Sequence, residues 1–471
     1  MSRLLQAAFV ISAVYVAWFV TNKLDFFTGS GTDGDGSEHF TKSLRQDGYF
    51  GAGSRKEDDE QVHRFTVAVA DSELADLRER LQRTRFFEPL DDVAFKYGMS
   101  TAVLRTVHRY WLDEFDWRKQ ERLLNALPQF RTTIEGLNIH FLHAKPDTKT
   151  YQRKVPLLLI HGWPGSVWEF HKIIPMLVEP RKNFDDKAAS FAFEVIAPSI
   201  PGYAWSEAAS KTGLGPVAAA RIFVKLMHRL GHDQFVCQGG DWGAVICTTL
   251  ATIFPEKLVG LHVNMPYIEA TAFPRLLLKQ IVGSFAPHLI LPPNDVAKVY
   301  PLSEKFSFLL RESGYLHIQA TKPDTVGFAL NDSPMGLAAY ILEKFSTWTN
   351  AKFSERNDGG LTEHFTLDEL LTNVMIYWTT GSIASSQRFY KECFAETRFS
   401  ELAAAQVTVP YGAAAFAHEI LNAPRSFLEY KFKNITRYTD ISRGGHFAAL
   451  QEPKLLAAEI FTFVLELELS N

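Results

Sequence analysis

Apolar and polar positions change rhythm three times along the chain. Residues 4–20, LLQAAFVISAVYVAWFV, carry no charge between Arg3 and Lys23. That length fits the roughly 17–25 apolar residues that cross a bilayer, and no small-x-small cleavage signal follows, so the pattern predicts an uncleaved membrane anchor. The next stretch, GSGTDGDGSE at residues 29–38, is too polar to bury and reads as a linker. Its DGDG lacks the glycine and glutamate offsets of a calcium loop. From Arg64 apolar residues return at helical spacing. Leu74, Leu77 and Leu81 predict a helix with Ser72 as its cap, and a second amphipathic helix is expected over residues 101–115.

Beyond residue 150 the rhythm becomes that of buried strands. VPLLLI at residues 155–160 is stopped by HGWPGS, and apolar runs beginning at Phe193 and Phe235 end in the glycine-bearing turns PSIPGYAWS and GGDWGA. Helix-compatible sequence follows, as in VAAARIFVKLMHRLG after Pro216. Strand, turn and helix in alternation predict an α/β fold on a doubly wound parallel sheet. No internal repeat is evident.

Composition narrows the function classes. A chain of 471 residues, 46% hydrophobic, exceeds one compact core and leaves room for additions to a catalytic domain. Its 49 basic and 53 acidic residues give a formal charge of −4 without basic blocks, which excludes the electrostatic footprint of a nucleic-acid binder. Cys237, Cys247 and Cys393 form neither a CxxC pair nor an even set, so free thiols are expected.

The candidate chemistry centres on Gly239-Gly240-Asp241-Trp242-Gly243, a strand-to-helix elbow with aspartate where a serine hydrolase carries serine. Downstream lie Glu419 and His446, in the order nucleophile, acid, histidine. His446 follows two glycines. Glu419 competes with Asp440, which is nearer to the histidine in sequence. An aspartate suits attack on a saturated carbon, because the ester it forms carries a carbonyl that water can attack, whereas a serine ether would be a dead end. An ordinary esterase would need serine or cysteine at position 241. His140 and His143, three apart on a strand, face opposite sides and are not read as a metal pair.

The segments EFDWRKQE, IEGLNIHFLHAKP, LLLIHGWPGSVWEF, GGDWGA, SGYLHIQATKPDTVGFALNDSP, VMIYWTTGSIASSQRFY and RGGHFAALQEP are spread along nearly the whole chain after Arg64. Through them the chain resembles the microsomal epoxide hydrolase family, which includes the juvenile hormone epoxide hydrolases. The resemblance implies an α/β-hydrolase fold with a helical cap, an N-terminal meander and an N-terminal membrane anchor. On this reading residues 1–23 are the anchor, 24–63 a polar linker, 64–150 the meander, 151–266 and 401–471 the two parts of the core, and 267–400 the cap. It implies Asp241 as nucleophile, His446 as base, Glu419 as its partner, and Tyr315 with Tyr390 as proton donors. Backbone N–H groups of Trp163 and Trp242 would form the oxyanion hole. No cofactor or metal is implied; the partners are an epoxide, water and the endoplasmic reticulum membrane. Xenobiotic, terpenoid and lipid epoxides all suit an apolar aromatic pocket. A haloalkane dehalogenase would share the aspartate, the histidine and a tryptophan after the nucleophile, but needs halide donors in place of the tyrosine pair. A catalytically silent carrier on the same fold would be expected to have lost part of the triad, and every position is filled.

Overall fold

Among the described residues the apolar runs assemble into one nine-stranded sheet, which in spatial order runs β1 (His63–Phe65), β2 (Gln129–Ile134), β3 (Leu137–Ala144), β5 (Ala192–Pro198), β4 (Lys154–Ile160), β6 (Phe235–Gly239), β7 (Leu258–Val263), β8 (Tyr411–His418) and β9 (Ile435–Gly445). The structure is a computed structural model that describes residues 41–184 and 191–469. Strands β1, β2 and β3 pair antiparallel, and β3 is antiparallel to β5. The rest, β4, β6, β7, β8 and β9, runs parallel with β5. The sheet is therefore mixed. Its antiparallel edge comes from the segment before residue 150, where Glu135 (φ 54°) and Gly136 (φ 80°) make the tight β2–β3 turn that suits two positive φ values.

Helices cover both faces, which explains why β4 and β5 are almost wholly buried. The first two predicted helices are α1 (Asp71–Gln82) and α2 (Thr101–Asp113). Leu77 and Leu81 are buried as the spacing predicts, but Ser72 is not the cap of α1. Ala70 holds that position without a side-chain bond, and Asp71 with Glu73 place negative charge in the first turn instead. On one face, α3 (Ile173–Val178) packs over Leu157, Leu159, Phe193 and Val195. On the other lie α4 (Pro216–Arg229) and α5 (Trp242–Ile253), the latter leaving β6 directly. The cap is helical and includes α6 (Gly314–Thr321) and α7 (Ile383–Ala395). The closing α8 (Pro453–Leu469) sets Phe461 against Phe191 and Phe193.

Two expectations are corrected. Cys237 and Cys247 are joined in a disulfide, not free, because the elbow folds α5 back over β6 and brings their Cα atoms to 5.9 Å. Only Cys393 remains a free thiol. The second concerns the approach to Glu419: the apolar run VTVP at residues 407–410 reads from the sequence as the strand leading to it, but β8 begins only at Tyr411, and Val407 makes an isolated bridge to Phe432. Residues ahead of β1 hold the β2–β3 turn closely: Asp58 accepts from the N–H groups of Glu135 and Gly136 at 2.7 and 2.8 Å.

Among the described residues, 47–469 form one compact body, and residues 41–46 belong to a separate unit. The expected anchor over residues 4–20 lies outside the described residues. Among the described residues no helix is long and apolar enough to cross a membrane.

Candidate active site

Parallel strands deliver the site at their C-terminal ends. Strand β6 ends at Gly239, α5 begins at Trp242, and Asp241 bridges them with φ 50° and ψ −126°. A non-glycine residue so placed stores on the order of 1–3 kcal/mol of strain, which the packing of the elbow must hold. That packing admits no side chain at Gly239, where a Cβ would come within 2.3 Å of the Gly243 carbonyl carbon. Gly162 is equally constrained: its Cβ would stand 2.3 Å from that of Asp241.

The turn after β4 meets the elbow face to face. The Trp163 N–H donates to Asp241 Oδ1 at 2.7 Å. Trp242 is the first residue of α5, so its N–H lacks an intrahelical acceptor and points toward the same end of the helix. The cap clamps this turn: Asn373 Nδ2 donates to the Pro164 carbonyl at 2.7 Å and the Tyr377 hydroxyl to that of Gly165 at 2.7 Å.

His446 follows β9 at once and Glu419 follows β8. The two strands are neighbours, so residues 27 apart in sequence become adjacent. His446 Nδ1 lies 2.7 Å from Glu419 Oε1, and its Nε2 lies 3.5 Å from Asp241 Oδ2. Asp440 is instead exposed and paired with Lys298 at 2.5 Å. The geometry selects Glu419 over Asp440. Glu419 Oε1 also accepts from the Ile420 N–H at 2.7 Å, which fixes the carboxylate. Burial opposes charging the His446 ring, but Glu419 and Asp241 more than offset it and raise its pKa to about 10.

Tyr315 on α6 and Tyr390 on α7 close the site from the cap. Tyr315 stacks on Trp163 with ring centroids 5.1 Å apart, and Tyr390 stands edge-on to Trp242 at 4.7 Å and to Tyr315 at 5.9 Å. The Tyr390 hydroxyl is buried and makes no well-formed hydrogen bond, its polar neighbours being the Tyr315 hydroxyl and the Trp242 side chain. Burial holds both phenols well above their usual pKa, and the charge of Asp241 adds to the effect. All seven residues singled out from the sequence therefore converge on one place.

Sequence reasoning missed two neighbours. Glu169 and Asn264 join Trp163, Asp241 and His446 around a small cavity of about 20 Å³, room for a single water. Burial raises the Glu169 carboxyl to about 8, so it adds no third negative charge at neutral pH. A carboxylate inside the aromatic run VWEF was the signal that could have found it.

Comparison with known proteins agrees with this architecture. Residues 62–170 match the family described as epoxide hydrolase N terminus, and residues 155–420 match the alpha/beta hydrolase fold. Epoxide hydrolase 1 of Sus scrofa is 49% identical over 430 residues, covering 90% of this chain and 94% of the relative. The chain belongs to the epoxide hydrolase family. Juvenile hormone epoxide hydrolase 2 of Ctenocephalides felis is 45% identical, covering 89% of this chain and 88% of that one. The crystal structure of juvenile hormone epoxide hydrolase from the silkworm Bombyx mori superposes with a TM-score of 0.85 at 41% identity, over 90% of this chain and 99% of that one. This epoxide hydrolase thus has the α/β-hydrolase fold and the enzyme class that its motifs imply.

Proposed function

We propose that this epoxide hydrolase opens its substrate by attack of Asp241 on an epoxide carbon, forming an aspartyl ester that water then cleaves to a vicinal diol. The observation that carries the reading is the position of one carboxylate between a backbone donor at 2.7 Å and the His446 ring at 3.5 Å, beneath two protonated phenols. Oδ1, held by the Trp163 N–H, is the oxygen that becomes the ester carbonyl, and that N–H with the Trp242 N–H would stabilise the oxyanion of hydrolysis. Oδ2 is left to attack. Tyr315 and Tyr390 hydrogen-bond the epoxide oxygen, and one of them gives the leaving alkoxide its proton.

The raised pKa of His446 sets the order of events. In the free enzyme the ring is an imidazolium between two carboxylates, which neutral water chemistry cannot use as a base. Esterification removes the Asp241 charge and with it part of what holds the proton. The imidazolium then restores the tyrosine's proton and becomes neutral. Water in the small cavity gives a proton to Nε2 as its oxygen attacks the ester carbonyl. Collapse of that intermediate returns the proton to the departing diol oxygen, and the freed Asp241 acid recharges the ring.

A second cavity, of about 530 Å³, is lined by Trp242, Met265, Ile268, Leu302, Phe308 and Phe394. Its apolar walls support bulky hydrophobic epoxides as substrates, of xenobiotic, terpenoid or lipid origin. Attachment to the endoplasmic reticulum membrane through residues 4–20 completes the proposal. The test is to trap the ester. His446→Gln should still be alkylated, so intact-mass analysis after mixing with styrene oxide should show one adduct, mapped by peptide digestion to Asp241. An unmodified protein, or an adduct elsewhere, would refute the nucleophile.

A further inference from the structure

His143, Glu194 and His232 converge at the opposite end of the sheet from Asp241. Strand β3 runs antiparallel to β5 with His143 opposite Ile196, so Glu194, two residues away, projects from the same face. His143 Nε2 approaches Glu194 Oε1 at 2.7 Å. The third member comes from the end of α4. Gly231, at φ 86°, ends that helix in a left-handed turn, with its N–H bonded to the His228 carbonyl and the His232 N–H to that of Met227. This turn aims the His232 ring back at this end of the sheet, where its Nε2 stops 3.5 Å from Glu194 Oε1. That nitrogen is buried, and at 3.5 Å its contact with Glu194 is long for a hydrogen bond. The chemistry of Asp241 makes no use of these groups: Glu194 is level with Pro156 on β4, four residues before the strand ends at the site, roughly 13 Å away.

We propose that His143, Glu194 and His232 form a structural binding site for a divalent transition metal, zinc in particular. One ligand atom from each residue lies within 4.8 Å of the other two. Bonds of about 2.0–2.2 Å to imidazole nitrogen and carboxylate oxygen place tetrahedral ligands about 3.3 Å apart. The His232–Glu194 separation already meets that spacing, and the His143–Glu194 contact needs to open by about 0.6 Å. Two imidazoles and one carboxylate suit zinc over calcium or magnesium, which prefer all-oxygen shells. A water fills the fourth position. Lys145 Nζ stands 3.4 Å from the same Glu194 oxygen, where it compensates the carboxylate in the absence of metal. Its side chain is 62% exposed and free to swing aside, which opens the path for the ion. The metal would tie β3, β5 and the α4–β6 turn together, so its effect is on stability and not on epoxide chemistry.

The test uses tag-free full-length protein, stripped with chelator and titrated with zinc against a chromophoric competitor. One zinc per chain is expected, with a dissociation constant in the micromolar range or tighter and a raised unfolding midpoint. His232→Gln should weaken binding by at least about 100-fold, more than loss of an outer-shell partner. Lys145→Gln, which removes the competing cation, should tighten it. Epoxide turnover should be the same in all three proteins. Absence of stoichiometric zinc, or equal affinity in the wild type and His232→Gln, would overturn the proposal. If His232→Gln failed to fold, Lys145→Gln decides the matter alone, since unchanged or weaker binding there contradicts the site.

Discussion

Removing one hydroxyl from Tyr390 should push stability and catalysis in opposite directions. The Tyr390 side chain is 2% exposed and its oxygen makes no well-formed hydrogen bond, with only the Tyr315 hydroxyl and the Trp242 side chain as polar neighbours, so the folded protein carries much of the desolvation penalty of burying it. Such a penalty is about 1–3 kcal/mol. Tyr390→Phe keeps the ring contacts with Trp163 and Trp242 and deletes the penalty, so resistance to urea should rise by that order. Ring opening should suffer, because a donor to the developing alkoxide is lost. Loss of one preorganised donor is worth about 2–4 kcal/mol, a drop of about 30-fold to 1,000-fold in the rate of ester formation. Stopped-flow tryptophan fluorescence can follow that step, since Trp163 and Trp242 both border Asp241. Tyr315→Phe should slow the same step with a smaller gain in stability, because the residue as a whole is less fully buried than Tyr390. A Tyr390→Phe variant that formed ester at the parental rate would refute the donor assignment. Slower reaction accompanied by lower stability would mean that the residue acts through packing.

Three further outcomes are expected. The folded pKa of His446, about 10 against an ordinary 6.5, makes its contribution to stability complete below pH 6.5 and lost as pH rises toward 10; urea titrations should show this decline, and His446→Gln should flatten it. Because burial lifts both phenols, single-turnover alkylation of His446→Gln, which lacks the imidazolium that itself titrates near 10, should show no loss between pH 8 and 10, and a fall there with an apparent pKa near the ordinary 10 would contradict the buried-donor account. Deleting residues 1–38 should release most of the protein from carbonate-washed membranes with turnover retained; continued attachment would move the membrane contact to another surface.

Much of the site was legible because its signals are local. The elbow GGDWG needs small residues wherever helix and strand backbones touch, and the glycines at 239 and 243 announce that contact. HGWPGS and RGGH mark strand ends in the same way. What sequence could not decide depended on strands meeting in space. Glu419 and Asp440 are both near His446 in the chain, and only the register of β8 against β9 brings Glu419 to 2.7 Å while Lys298 draws Asp440 away. The disulfide was hidden for the same reason, since a ten-residue separation gives no hint that the elbow returns Cys247 to Cys237. The tyrosines were beyond pattern altogether. They lie on cap helices 75 residues apart in sequence, among 15 tyrosines, and resemblance alone singled them out.

The central claim is that an enzyme carboxylate, and not water, attacks the epoxide. Single-turnover reaction in oxygen-18 water, with enzyme in excess over styrene oxide, tests it most directly. The account predicts that the first diol carries little label, because its new oxygen comes from Asp241 Oδ2, and that digestion then finds oxygen-18 in the peptide bearing Asp241. Full labelling of the diol in that first turnover, with Asp241 unlabelled, would contradict the covalent mechanism.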